Sequence, residues 1–473
     1  MGKKQKAGME DQMRTIDRFL HEKINILGIT LEFIDIFFAV AIIMLGLVAR
    51  FAVFGMMSGD YELAFADWMK EIRNCHAAGV PYIGVEPGGA DHLSTFDYNC
   101  LYQYLIVFLN LFNNGGGNDM FLVKMSDCIF DVVLAVTTFR IIYEMTRDSH
   151  KSMMAMGVMM VVPTVLLNSA AWAQNDAIYT SFLMLSFLSL LRKKDLRTWL
   201  YFAIAFCWKQ QAIFLAPVLI IAWLRNKTKI RYILCVPVMY VLVIIPAAIA
   251  GALVPSKVTV DIASLADTGN VSWISDFAVN GESLVLEPVG RSFGSLLGIY
   301  GHQVSMFSRL TMNYPNIYTI IYSDIDKTLR QMIITCGEVF TVMLLGILAY
   351  YLYNKKFKDD KIFYLTLVVF VSQLVVYCLP CMHERYGYVA EVFAFIYGMF
   401  GFRRLILAIV LQFITLVTYT RFLWGASSSL TTANLVVFAF MLLGIILLLG
   451  KDLYSQVHKK ELKIEKAEEK LLS

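Results

Sequence analysis

The chain has 473 residues, 58% hydrophobic and only 16% charged, with a formal net charge of +4 and a mean hydropathy of +0.61. A soluble protein of that length covers its surface with about 25% charged residues, and a disordered one needs low hydrophobicity, so both classes are excluded. The small positive balance is spread over many short loops and forms no nucleic-acid footprint, which leaves a polytopic all-α membrane protein.

Residues 1–30 hold no signal-peptide core and read as a cytoplasmic N-terminal segment. Apolar runs near 31–54, 119–145, 152–168, 176–191, 232–254, 331–353, 362–380, 387–401, 404–421 and 432–450 predict about ten full spans, so that 31–450 forms one integral membrane domain. The run Tyr102–Phe112 is too short to cross and reads as an interfacial helix in a long first outer loop, 55–118. The stretch 198–224 is bounded by basic residues on both sides and is too short for two crossings, and Lys209 lies near its middle. It predicts two short helices that dip in and return, a backbone tolerated only where it lines a cavity. A second large outer loop covers 255–330, and the tail 451–473 alternates Lys and Glu as a solvated amphipathic helix.

Most of the 41 lysines and arginines fall in 1–30, 146–151, 192–197, 225–231, 354–361, 403–404 and 451–473, although the opposite loops are much longer. By the positive-inside rule these segments and both termini are cytoplasmic. Four polar clusters then lie at or near the outer face. Asp60 and Glu62 follow the first span, with Trp68 beyond them; Asp60 is either a helix N-cap or a carboxylate able to act as a base. Trp172-Ala173-Gln174-Asn175-Asp176 joins an aromatic, two amides and an acid in one turn, a set suited to binding sugars. Lys209, followed by Gln210 and Gln211, is an intramembrane cation far from the cytoplasmic ends, and phosphate is its natural partner. His383-Glu384-Arg385-Tyr386 either satisfies itself or grips a phosphate through Arg385, with Glu384 orienting it and His383 donating a hydrogen bond. Arg50, near the outer end of the first span, is another phosphate candidate. Asp127 and Asp131 share a helical face and pair with Lys124 or Arg140. Cys75 and Cys100 share the first outer loop and form a candidate disulfide. Cys378 and Cys381 lack the further ligands a zinc or redox site needs, and no metal or cofactor is expected.

The order of these motifs resembles the polytopic GT-C glycosyltransferases. Gly59-Asp60-Tyr61-Glu62 with Trp68-Met69-Lys70-Glu71-Ile72, and Lys209-Gln210 with Ala216-Pro217, are similar to the dolichyl-phosphate-glucose-dependent glucosyltransferases of N-glycan assembly. Trp172 to Asp176, Asn313-Tyr314-Pro315-Asn316-Ile317-Tyr318 and His383-Glu384-Arg385-Tyr386 resemble bacterial relatives of the second mannosyltransferase of GPI-anchor assembly. The resemblance runs from the first span to about residue 400, and the last two spans carry none of it.

The resemblance implies a bundle with an outward cavity and a metal-independent, inverting transfer of a hexose, mannose or glucose, from a polyprenyl-phosphate sugar. Asp60 would be the base. Lys209, Arg385, His383, Gln210 and Arg50 would hold the donor phosphate. Glu62, Trp68, Trp172, Gln174, Asn175, Asp176, Glu384 and Tyr386 would hold the sugar or the acceptor, which is a glycan or a lipid-linked molecule. The compact length points to a bacterial plasma membrane, with an ER membrane as the alternative. Two rivals are a transporter or flippase of lipid-linked saccharides and a non-catalytic assembly partner. The single dipping pair lacks the matching second half that transporter repeats supply.

Overall fold

The computed structural model describes residues 15–26, 28–77, 85–86, 98–113, 118–253, 258–261, 283–286, 289–290, 292–306, 309–321, 325–424 and 430–472. About 80% of the described residues are helical, and the chain is an all-α membrane protein. Six helices are long and apolar enough to cross a bilayer: α1 (Phe33–Phe51), Ile230–Ala252, Lys327–Asn354, Lys361–Cys378, Phe402–Leu423 and Thr432–Ile464. A bent pair, Ser149–Val161 with Pro163–Ala171, makes a seventh if counted as one span. Pro163 causes its 49° bend, because it forces Val162 to extended backbone and removes one helical donor.

The ten apolar runs of the sequence are therefore not all of one kind. In chain order, α2 (Ala66–Ala77) and α3 (Cys100–Asn110) precede α4 (Asp119–Thr146), which is long but buries Lys124, Asp127 and Asp131. The run 176–191 becomes a helix of 16 residues, and 387–401 yields Tyr388–Gly398, of 11. These elements are buried by other helices, and hydropathy alone does not separate a core-facing helix from a lipid-facing one. Only 17% of the apolar window of α1, of Ile230–Ala252 and of Lys327–Asn354 is buried, against 78% for Lys361–Cys378. The first three form the lipid-facing rim and the fourth the centre.

After the bent pair (α5, Ser149–Val161, with its continuation) come α6 (Asp176–Leu191), α7 (Asp195–Trp208), α8 (Ala216–Leu224), α9 (Cys235–Ala252), the short α10 (Ile299–Met306), α11 (Lys327–Asn354), α12 (Lys361–Cys378), α13 (Tyr388–Gly398), α14 (Phe402–Leu423) and α15 (Thr432–Leu472). Caps mark the boundaries: Asp148, Asp326 and Asp360 each accept backbone N–H groups at the start of α5, α11 and α12. The expected dipping pair is present. α7 stops at Lys209, whose backbone is extended, and a 3₁₀ turn, Gln210–Leu215, leads into α8. Both ends of the pair return to one face. Arg192, just before it, binds Glu144, and Arg225, just after it, binds Asp359 at 2.5 Å.

The loops assigned to one side by charge meet at that same end. Glu144 collects Arg147, Arg192 and Lys361, while Asp452 collects Arg404, and Lys355 pairs with Glu461. Each helix that starts there delivers its other terminus to the opposite end, where the polar clusters lie. The candidate disulfide falls outside the described residues, because the Cys75 side chain is among those not described.

Arg50 belongs to the packing and not to a phosphate site. Its Nε donates to Asp131 at 2.7 Å, and its Nη1 donates to the carbonyls of Gly46 and Met160 at 2.9 and 2.7 Å. It is fully buried, and a guanidinium in the bilayer interior takes the nearest carboxylate. Lys124 does not pair with either aspartate; it caps the carbonyls of Phe54 and Met56 at the end of the α1 segment. Arg50→Met should leave Asp131 as a buried charge without its partner and destabilise the fold by about 3–5 kcal/mol. Thermal melting in detergent should show the loss, and the double variant Arg50→Met/Asp131→Leu should recover most of it.

Candidate active site

The site is built by four segments that the sequence keeps far apart. Ser58 anchors the first: its hydroxyl donates to the Trp172 carbonyl at 2.7 Å and accepts the Tyr61 N–H at 3.1 Å. Asp60 then stands at the head of a π-helical turn, Tyr61–Phe65, yet its side chain makes no capping hydrogen bond. Its Oδ2 instead accepts Trp172 Nε1 at 3.0 Å and Gln174 Nε2 at 2.6 Å, and Arg385 Nη1 lies 3.8 Å away. All three partners address one oxygen. Oδ1 carries none of these bonds, and the side chain is 29% exposed toward a cavity.

The second segment is the turn 172–176. A π-helical turn, Leu167–Ala171, and Ala173 at φ +63° swing the chain around, and Gln174 N–H closes it on the Asn168 carbonyl at 2.9 Å. Trp172 is held by Phe422, stacked at 4.6 Å, and by Tyr419 edge-on at 5.0 Å, both from α14. The third segment is Lys209. Its Nζ donates to Asn175 Oδ1 at 3.0 Å and to Asp176 Oδ1 at 2.5 Å, and Asn168 donates to the other Asp176 oxygen at 2.9 Å. The Tyr98 and Tyr179 rings face the ammonium at 5.5 and 5.8 Å.

The fourth is the loop between α12 and α13. Residues Thr311–Met312 pair in parallel with Met382–His383, Asn316 donates to the Leu379 carbonyl at 3.2 Å, and Tyr318 donates to the Cys378 carbonyl at 2.7 Å. Gly337 admits that tyrosine, since a Cβ there would sit 2.0 Å from its hydroxyl oxygen. The loop carries Arg385, which donates to Gln174 Oε1 and lies over the Trp172 ring at 5.8 Å.

These segments enclose a cavity of about 180 Å³. Asp60, Trp68, Gln174, Lys209, Gln210, Arg385 and Tyr386 line it, as expected from the sequence. Asn175 and Asp176 hold Lys209 from behind, and Trp172 holds Asp60. Glu62 is exposed and does not line the cavity, because the π turn carries it to the outer surface. His383 and Glu384 are withdrawn from it. His383 is backbone-paired to Met312 and its ring is tilted against Tyr386 at 5.0 Å, and Glu384 accepts Asn313 Nδ2 at 3.4 Å. Tyr98, Gln211 and Gln303 also line the cavity and were not assigned roles from sequence. Gln211 stood inside a recognised cluster, whereas Tyr98 and Gln303 come from long loops with no local pattern to mark them. Among the described residues no group of three or more His, Cys, Asp or Glu is gathered for a metal ion.

The chain matches no protein-family model and no curated protein. The fold and site define an all-α membrane protein with a polar cavity at one end of its bundle.

Burial pushes the Glu384 carboxyl up to about 7, against the pull of Arg385, while burial and then Arg385 push the His383 imidazole down to about 3. His383 is therefore neutral across pH 5–9. A raised carboxyl stabilises the fold fully below its ordinary value and loses that contribution as pH climbs through about 7, a swing of about 3 kcal/mol at most. Melting temperature in detergent should fall between pH 5 and 8, and Glu384→Gln should remove that fall.

Proposed function

We propose that the chain is a GT-C-type inverting glycosyltransferase that moves a hexose, mannose or glucose, from a polyprenyl-phosphate sugar to an acceptor hydroxyl. The observation that carries the reading is the Asp60 carboxylate, whose side-chain partners all address Oδ2, on the wall of the cavity that Lys209 and Arg385 also line. The acceptor hydroxyl gives its proton to that carboxylate while its own oxygen bonds the anomeric carbon. The bond from that carbon to the phosphate oxygen breaks, and its electron pair leaves on the polyprenyl phosphate. Arg385 and Lys209 take up the negative charge that grows on the leaving group, where low dielectric strengthens their effect. Among the described residues Arg385 Nε is buried without a hydrogen-bond partner, a donor that a phosphate oxygen would satisfy.

A lipid-borne donor also fits the other face of the 3₁₀ turn. Ile213, with Trp199, Phe202, Phe206 and Ile220, lines an apolar cleft of about 380 Å³ beside α7, α8 and α9. An isoprenoid chain is at home there, and its phosphate would reach Lys209 and Gln210 on the cavity side. In this reading the bundle has about ten crossings, both termini are cytoplasmic, the cavity opens outside the plasma membrane, and the acceptor is a glycan or lipid-linked molecule.

Asp60→Asn keeps the hydrogen-bonding shape of the side chain and removes the base. It should fold normally and lose about 10²–10⁴ in transfer rate, read by mass detection of product from polyprenyl-phosphate mannose and glucose. Undiminished transfer would remove Asp60 as base. Arg385→Ala should raise the donor KM by about tenfold or more, the equivalent of one lost charge-assisted contact. Unchanged donor kinetics would remove the phosphate assignment.

A further inference from the structure

Gln211 lies two residues beyond Lys209 on the 3₁₀ turn and lines the cavity, yet only 5% of it is exposed. Its side chain interacts with the Tyr386 hydroxyl, and among the described residues its Oε1 has no hydrogen-bond partner. A buried carbonyl oxygen in a membrane bundle is costly to leave open, so such an atom marks a place where a ligand supplies a proton.

The chemistry of that ligand follows from the two open atoms of the site. Arg385 Nε is a donor and calls for an acceptor; Gln211 Oε1 is an acceptor and calls for a donor. An ionised phosphodiester offers acceptors only, so it satisfies the arginine and not the glutamine. A ring hydroxyl satisfies the glutamine.

We propose that Gln211 Oε1 accepts a hydrogen bond from one ring hydroxyl of the transferred sugar, and that this contact selects which hexose is used. The proposal rests on the transferase reading above and names its specificity residue. A site built to hydrogen-bond a hydroxyl discriminates strongly against donors that lack it, because its own polar atom is then stranded.

The test pairs Gln211→Met, which keeps the side-chain volume and removes the acceptor, with polyprenyl-phosphate mannose and glucose and their mono-deoxy analogues at each non-anomeric position. With the preferred full donor, Gln211→Met should lose roughly 10–100-fold in kcat/KM. With one deoxy donor, and only that one, wild type and variant should differ by less than about threefold, since neither has the contact. A variant penalty that is equal for every donor overturns the proposal while leaving the transferase reading intact. Absence of product from wild type with every donor overturns both. Melting temperature of each purified variant reports folding. If Gln211→Met does not fold, Gln211→Asn, which withdraws the amide by one carbon, is held to the same single-donor pattern.

Discussion

The buried pair between Lys209 and Asp176 is the contact on which the site depends. Taking an ammonium and a carboxylate out of water costs several kcal/mol per ion, recovered only when the two meet with good geometry and their remaining valences are filled. Asp176 fills one oxygen with Lys209 and the other with Asn168, and Asn175 shares the ammonium. That requirement explains three local departures from regular helix at once. α7 breaks at Lys209, the chain widens into a π turn over Leu167–Ala171, and Ala173 takes a left-handed backbone. The turn so formed presents Trp172 and Gln174 to Asp60, so the anion and the cation of the cavity stand on a common support.

A second support comes from the opposite direction. The segment around Asn313–Tyr318 touches no part of the cavity, yet its backbone pairing and two side-chain bonds hold the loop that carries Arg385. The residues divide into those that face the cavity and those that aim them. Asp176, Glu384 and Trp172 belong to the second group, although as polar or aromatic residues in apolar surroundings they look alike in sequence. Removal of an aiming residue shifts a partner by fractions of an ångström, and catalytic geometry is sensitive on that scale.

The all-α membrane character, the gathering of the basic loops at one end, the short helices joined at Lys209 and all four segments that build the site were legible in the sequence. The reason is contrast: in a chain with 16% charged residues, each polar residue in an apolar run is conspicuous. What contrast does not supply is the partner. Arg50 and Lys209 look equivalent as membrane cations, but α4 happens to bring Asp131 against Arg50 on the far side of the packing. Asp60 could also be read as a cap, and only the approach of the 172–176 turn decided that its carboxylate faces side-chain donors. Phe422, behind Trp172, lies in a helix whose sequence gave no reason to connect it with the site. Helix-to-helix contact and loop return are set by packing across the whole bundle, which no local spacing records.

The pairing of charges in the cavity has a consequence for the order of events on the transferase reading. Arg385 lies 3.8 Å from the Asp60 carboxylate, and Lys209 is held by Asp176. An arriving phosphate competes for both cations, with charge-assisted bonds that are roughly twice as strong as neutral ones. As Arg385 turns to the phosphate, it leaves the Asp60 oxygen beside it. Trp172 and Gln174 still hold Oδ2, so the Asp60 carboxylate keeps its place when Arg385 moves.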